Sequence, residues 1–133
     1  MAKVTITSGK RKKAVARSTM CEGTGIIRIN SRNLETMEPE MMKLKVMEPL
    51  LLAGEISKKI NASVKVFGGG PMSQAEAVRL ALAKGLVAFT GSKTLKNEFL
   101  QYDRHMLVAD VRRNEPHKPN DSKPRAARQK SYR

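Results

Sequence analysis

Four consecutive cations near the N-terminus are the first residues whose spacing suggests a chemistry. They follow Gly9 and are Lys10, Arg11, Lys12 and Lys13. Placed at the end of a predicted strand, such a cluster can bind phosphate through its charge and its permissive backbone. The alternative is a hairpin tip whose lysines contribute only to solubility. We predict that this cluster binds a polyanion.

A glycine triplet forms a second candidate anion site. Gly68-Gly69-Gly70 precedes Pro71 and a predicted helix. Successive glycine amides before a helix N-terminus form a cradle with partial positive charge. A nucleotide-binding P-loop would end in Gly-Lys-Ser or Gly-Lys-Thr, and that ending is absent after Pro71. Two interpretations stay open, namely close approach of a phosphate backbone and a tight turn in which side chains would clash.

The C-terminal segment 112–133 is rich in bases and has no apolar periodicity. Prolines and small residues separate its cations, which suits an extended strand that touches successive phosphates. The alternative is a solvated, disordered end. Its basic residues are Arg112, Arg113, Lys118, Lys123, Arg125, Arg128, Lys130 and Arg133.

Catalytic and metal-binding groups are not indicated. His105 and His117 are separated by a predicted strand and do not assemble a metal site. Cys21 is the only cysteine, so an intramolecular disulfide is excluded. Several glutamates between residues 38 and 55 have near-helical spacing, which indicates a solvated face and not a general acid–base pair. We expect neither an enzyme nor a cofactor nor a small-molecule substrate.

The charge distribution indicates the class of partner. Of a net charge of +14, almost all lies at the two ends. Residues 1–33 hold eight Lys or Arg against one acid and residues 112–133 hold eight against two, whereas the middle holds ten against nine. Nucleic acid relieves such self-repulsion, although a membrane surface and solvated tails are alternatives. With three Phe, two Tyr and no Trp, the chain is expected to recognise phosphate and shape and not stacked bases.

The periodicity predicts an α+β fold with a small mixed sheet and helices on one face. Strands are predicted over 4–8, 14–21 and 26–30 as a meander, then over 62–67 and 106–109. Two short helices are predicted over 38–53 and another over 92–100. A longer helix is predicted between them, opened by a capping box of Ser73 and Glu76 and closed at Gly91.

The same patterns give an expected domain organisation and location. We predict a globular domain over residues 1–111 and an extended basic tail over 112–133. The N-terminus has no apolar stretch of signal-peptide length, and the longest apolar runs fall far short of the ~20 residues that span a bilayer. We therefore expect a soluble, cytoplasmic protein that does not enter a membrane.

Three motifs together resemble one family. They are the run from Gly9 to Arg17, the run from Gly68 through Gln74 and Ala75 to Arg79, and the ending Gln129-Lys130-Ser131-Tyr132-Arg133. The chain resembles the universal small-subunit ribosomal protein number nine family, in its archaeal and eukaryotic-type branch, over essentially its whole length. One departure is Ser73, where a glycine is expected in the family.

The resemblance implies a fold like the second domain of small-subunit ribosomal protein number five, with a left-handed β-α-β crossover. It implies a place in the head of the small subunit, beside neighbouring head proteins and on the small-subunit rRNA. The tail would reach the peptidyl-site tRNA, where Arg133 would contact the anticodon stem–loop backbone. The implied rRNA-binding set is Lys10, Arg11, Lys12, Lys13, Arg17, Gly68, Gly69, Gly70, Arg112, Arg113, Lys118, Lys123, Arg125 and Arg128, and the implied tRNA-binding set is Lys130, Ser131, Tyr132 and Arg133.

Two other function classes stay open beside this one. A basic architectural DNA-binding protein would share the charge pattern, and sensitivity to the 2′-hydroxyl would distinguish it from an RNA-fitted protein. A phosphate-binding enzyme that uses the Gly68–Gly70 turn would need a magnesium carboxylate near the turn, and the sequence nominates none.

Overall fold

The structure is a computed structural model that describes residues 3–119, 123–126, 129 and 131–132. Its strands are β1 (Thr5–Arg11), β2 (Ala14–Glu22), β3 (Ile27–Ile29), β4 (Arg32–Asn33) and β5 (Ile60–Phe67). Its helices are α1 (Glu40–Ala53), α2 (Pro71–Thr90) and α3 (Lys93–Tyr102), and short 3-10 turns cover Leu34–Thr36, Gly54–Lys59 and Arg104–Met106.

The five strands form one mixed sheet in the order β1-β2-β5-β3-β4. Only β3 and β5 pair in parallel, and α1 lies on the connection between them. The predicted hairpin of β1 and β2 is confirmed, but the predicted meander of three strands is wrong. Strand β2 pairs instead with β5 over eight residues, a ladder that the three-residue β3 is too short to match.

The helices cover one face of the sheet and leave the other open. Alternate residues of β2 and β5 are buried, among them Ala16, Met20 and Val64, while their neighbours are exposed or half-buried. The buried side chains pack on α2, whose Leu82 and Leu86 are almost fully buried. The predicted α+β class with helices on one face is therefore confirmed.

Strand β1 runs unusually close to α2. Gly9 is buried within β1, and a Cβ there would overlap the carbonyl oxygen of Ala77 and lie 2.8 Å from the amide nitrogen of Ala81. The sequence predicts that the permissive backbone from Gly9 to Lys13 is presented to phosphate. The structure corrects this, because Gly9 lets the strand and the helix touch.

Two helix boundaries differ from their predictions. Residues 40–53 form one helix and not two, with Pro39 at its N-cap and buried Pro49 inside it.

Helix α2 begins at Pro71, with Gly70 as N-cap, so Ser73 lies within the helix and no capping box forms. Glu76 instead reaches Arg11 on β1. The predicted stop at Gly91 is confirmed, since Gly91 takes the left-handed conformation that ends the helix.

The predicted last strand is also wrong. The chain forms a 3-10 turn over Arg104–Met106, and residues 107–109 lie outside any strand. Asp103 caps this turn by accepting a hydrogen bond from the backbone N–H of His105 at 2.9 Å. Met106 is thereby buried against the core, and the 3-10 turn packs on α2 and α3. The proposed division at residue 111 stays a prediction.

Candidate nucleic-acid interface

Lys12 and Lys13 form the turn between β1 and β2. Both side chains are exposed, and Lys12 has a positive φ of 52°. The turn is short because β1 continues through Arg11 and β2 begins at Ala14. Of the predicted cation cluster, these two residues are the ones that project from the end of the sheet.

The glycine turn lies directly beside this hairpin. Gly68 and Gly69 have φ values of 75° and 67°, which side-chain-bearing residues rarely adopt. A Cβ on Gly68 would lie 2.5 Å from the carbonyl oxygen of Lys13, and one on Gly69 would lie 3.0 Å from the amide nitrogen of Ala14. The protein's own packing therefore requires these two glycines, as the tight-turn interpretation held.

Gly70 is different from its two neighbours. A Cβ built on it has no described heavy atom within 4 Å, and its φ of −90° suits any residue. As N-cap it opens the 20-residue helix α2, and no side chain in the described part of the chain caps that end. The first N–H groups of a helix have no intrahelical acceptor and carry partial positive charge. This uncapped end faces open space.

The beginning of the tail is tied to the hairpin. The Arg113 guanidinium donates a hydrogen bond from Nη1 to the carbonyl oxygen of Lys12 at 2.9 Å. Arg112 pairs with Asp110, with 2.7 Å between Nη2 and Oδ2. Hydrogen bonds from the side chain and backbone of Arg112 hold the pKa of Asp110 well below its usual range. The tail therefore leaves the domain next to the turn of the hairpin.

Arg11 holds these parts together from inside. Its guanidinium is largely buried and lies 2.6 Å from the Glu76 carboxylate on α2 and 3.6 Å from Asp110. It also donates a hydrogen bond to the carbonyl oxygen of Arg112 at 3.3 Å. Because its charge is matched by two carboxylates, Arg11 serves to position the surrounding cations.

These elements enclose a groove of about 370 Å³ at the end of the sheet. We call it the hairpin–tail groove, and its described lining residues include three cations and no carboxylate. They are Lys12, Lys13, Gly69, Gly70, Ser73, Arg113 and Asn114. Three cations around an uncapped helix N-terminus form a site that favours an anion such as phosphate.

Other predicted residues lie elsewhere. Lys10 and Arg17 are exposed on the open face of the sheet. Lys118 and Lys123 are exposed on the tail, where Arg125 pairs with Glu115 at 2.8 Å between Nε and Oε2. Ser131 and Tyr132 are exposed as well. Arg128, Lys130 and Arg133 lie outside the described residues.

Sequence reasoning missed an interior ion-pair network around Arg79. This arginine is 5% exposed, and its guanidinium pairs with Glu48 on α1 and with Asp103 after α3, the latter at 2.9 Å. Burial raises the pKa of Asp103, but hydrogen bonds from the His105 backbone and from Arg79 outweigh it, so the net pKa is lowered. Only the interruption of an apolar helix stripe by an arginine could have signalled this role.

Within the residues that the structure describes, no cluster of His, Cys, Asp and Glu could hold a metal ion. In the same residues, no helix is both long and apolar enough to cross a membrane.

Together, the sheet covered on one face and the cationic groove place the chain among small, basic α+β domains. Residues 9–133 match the ribosomal protein S9/S16 family. The chain is 56% identical over 133 residues to proteins named small ribosomal subunit protein uS9 from Methanococcus vannielii and Methanococcus maripaludis, covering 98% of this chain and 99% of each relative. The chain belongs to the ribosomal protein S9/S16 family.

Family membership confirms several of the predictions. The resemblance stated from the three motifs was to this family, and the Methanococcus relatives agree with the archaeal branch. A protein of this family is a structural part of the small ribosomal subunit and not an enzyme, as the sequence analysis expected.

Proposed function

We propose that this protein binds small-subunit rRNA through the hairpin–tail groove and the tail. The observation that carries the proposal is the convergence of Lys12, Lys13 and Arg113 on the uncapped N-terminus of α2, without a carboxylate among the described lining residues. Phosphate contacts of this kind fix a protein on its RNA without reading bases. The scarcity of aromatic residues fits the same mode.

The individual residues have different parts in this proposal. Lys12, Lys13 and Arg113 bind phosphates, Gly70 leaves room for the RNA backbone, and Gly68 and Gly69 shape the turn. Arg11 positions the cations, and Arg112, Lys118, Lys123, Arg125 and Arg128 extend the contacts along the tail. Lys130, Ser131, Tyr132 and Arg133 would reach the peptidyl-site tRNA. The protein would work in the cytoplasmic ribosome, in the head of the small subunit beside other head proteins.

The test compares two charge-matched variants of the full chain. Lys12→Gln/Lys13→Gln removes two groove cations, and Lys93→Gln/Lys96→Gln removes two exposed cations from α3, which packs against α1 and α2. Binding to a small-subunit rRNA transcript is measured at several salt concentrations. Each lost phosphate contact makes the slope of log affinity against log salt shallower by about one.

We expect a steep slope of several units for the unaltered protein and a loss of about two for the groove variant. The α3 variant should keep the original slope. A slope near −1 for the unaltered protein, or equal slopes for both variants, would contradict rRNA binding through the groove.

A further inference from the structure

The open face of the sheet carries its own set of cations. Lys10, Arg17, Lys65 and Arg28 are exposed on four different strands, β1, β2, β5 and β3. Neither Arg28 nor Lys65 belongs to the rRNA-binding set described above. Among the described residues, none of the four forms an ion pair with a carboxylate.

The strand register arranges these cations in a diagonal line. Lys10 is paired with Val15, two residues along β2 from Arg17, and Arg17 is paired with Lys65. Arg28 is paired with Ser63, two residues along β5 from Lys65. With about 4.8 Å between strands and about 3.3 Å per residue, the line from Lys10 to Arg28 is about 20 Å long. It starts at the end of the sheet that holds the hairpin–tail groove.

The rest of this face is neutral and polar. Hydroxyl groups of Ser8, Thr19 and Ser63 are exposed between the cations. The described strand residues that alternate onto this face include no carboxylate. Ile6 and Phe67 are its large exposed apolar side chains on the strands, and they lie on different rows and different strands. They therefore do not form a continuous apolar patch.

We infer that the open face binds an RNA backbone that leaves the groove and crosses the sheet along this diagonal. A nucleic-acid strand carries one phosphate per nucleotide, about every 3.4 Å of axis in B-form DNA, so an RNA backbone that follows a 20 Å line offers several phosphates to the four cations. Hydroxyl groups between the cations can donate hydrogen bonds to phosphate and ribose oxygens. An acidic protein is a poorer fit, because protein interfaces are depleted of lysine and have an apolar core.

This inference rests on the proposed rRNA function, and its test uses residues that the groove does not contain. The full-length variant Arg28→Gln/Lys65→Gln is compared with the α3 variant Lys93→Gln/Lys96→Gln. Thermal unfolding checks that both fold, and Lys65→Gln alone replaces the double variant if it does not fold. Binding to the small-subunit rRNA transcript is measured against salt, together with hydroxyl-radical footprinting of the RNA.

We expect the salt slope of the open-face variant to become shallower by about two, or by about one for Lys65→Gln alone. One protected segment of ribose should be lost from its footprint, while the protection that depends on Lys12 and Lys13 stays. A slope and footprint equal to those of the α3 variant would overturn the inference and leave the groove proposal intact. Normal RNA binding with failure to join small subunits would also overturn it and would assign the face to a protein. Absence of rRNA binding by the unaltered protein would instead refute the proposed function.

Discussion

The three glycines between β5 and α2 have different physical roles although they are adjacent in the chain. Gly68 and Gly69 need positive φ values and lie against the start of β2, whereas Gly70 has neither constraint. The sequence predicts the turn, because the glycine triplet, the strand before it and the helix after it are all adjacent in the chain. It does not divide the roles, because that division depends on β2 lying beside the turn, which is a long-range contact.

Substitution by valine should separate these roles. Gly69→Val forces a β-branched residue into the left-handed region against Ala14 and should lower the free energy of unfolding by about 1–3 kcal/mol. Gly70→Val should cost less than about 1 kcal/mol, yet weaken rRNA binding severalfold by blocking close approach of the backbone. Urea unfolding and RNA titration measure the two effects. Gly70→Ser, with a smaller side chain and a good N-cap residue, is the control. If Gly70→Val binds RNA as well as Gly70→Ser does, the role of Gly70 is only structural.

The buried Arg79 predicts a dependence of stability on pH. The folded-state pKa of Asp103 is lowered, so its stabilising effect is present above its unfolded pKa of about 3.9 and is lost as the pH falls through the folded value. Asp103→Asn should lower the free energy of unfolding at pH 7 by about 1.5–3 kcal/mol and reduce the loss below pH 4. Urea titrations from pH 2.5 to pH 7 test this. Parallel curves for the two proteins would show that Asp103 does not contribute to acid unfolding.

At the scale of elements, the sequence predicts a strand or helix correctly where its hydrophobic pattern is local. It predicts the position of a strand wrongly where that position depends on pairing with a strand distant in the chain. The alternation in β2 and the stripe of α2 fix those elements without reference to anything else. The position of β3 depends on β5, which lies about thirty residues later in the chain. Strand β5 pairs with β2 on one side, and β3 pairs with β5 on the other. The apolar run 106–109 predicts a strand. In the structure Asp103 caps a 3-10 turn instead, by accepting a hydrogen bond from the backbone N–H of His105.

The contact between the β1–β2 hairpin and the beginning of the tail joins two elements, and one substitution can loosen it. Asp110→Asn removes the charge that Arg112 and Arg11 share. We expect the bonds after Arg112 and Arg113 to be cut by trypsin roughly twofold to fivefold faster, because the Arg112 guanidinium is exposed and such a pair contributes little to stability. Glu115→Gln, which removes the carboxylate that pairs with Arg125, is the control. Equal cleavage of Asp110→Asn and the control would show that Asp110 does not hold the beginning of the tail against the hairpin.

At the scale of the whole molecule, charge is arranged around three connected surfaces. The groove lies at one end of the sheet, the open face continues from it through Lys10, and the tail leaves beside it at Arg113. The charge count of the two chain ends predicts a polyanionic partner. It does not predict that Arg11 is neutralised inside. Nor does it predict that Lys65, from the balanced middle of the sequence, joins Arg28 on the basic surface.

The last residues of the tail should matter for tRNA and not for assembly. A 22-residue tail could extend up to about 70 Å at ~3.3–3.6 Å per residue, whereas the Arg125–Glu115 pair folds part of it back. Extension in the ribosome would exchange that exposed pair, which contributes little to stability, for contacts with phosphate. Tyr132 is 89% exposed and so is available to pack on a ribose or base. Deletion of residues 131–133 should therefore leave folding and subunit assembly nearly normal.

The same deletion should weaken tRNA retention at the peptidyl site by about 1–3 kcal/mol, the range for hydrogen bonds to charged groups. Filter binding of tRNA to reconstituted small subunits measures this, and sucrose-gradient sedimentation measures assembly. Arg133→Lys is the informative companion variant, because lysine keeps the charge but cannot make the bidentate contact that a guanidinium makes with phosphate. It should show an intermediate loss. Unchanged tRNA retention together with defective assembly would assign the end of the tail to rRNA packing and would remove Arg133 from the proposed tRNA contact.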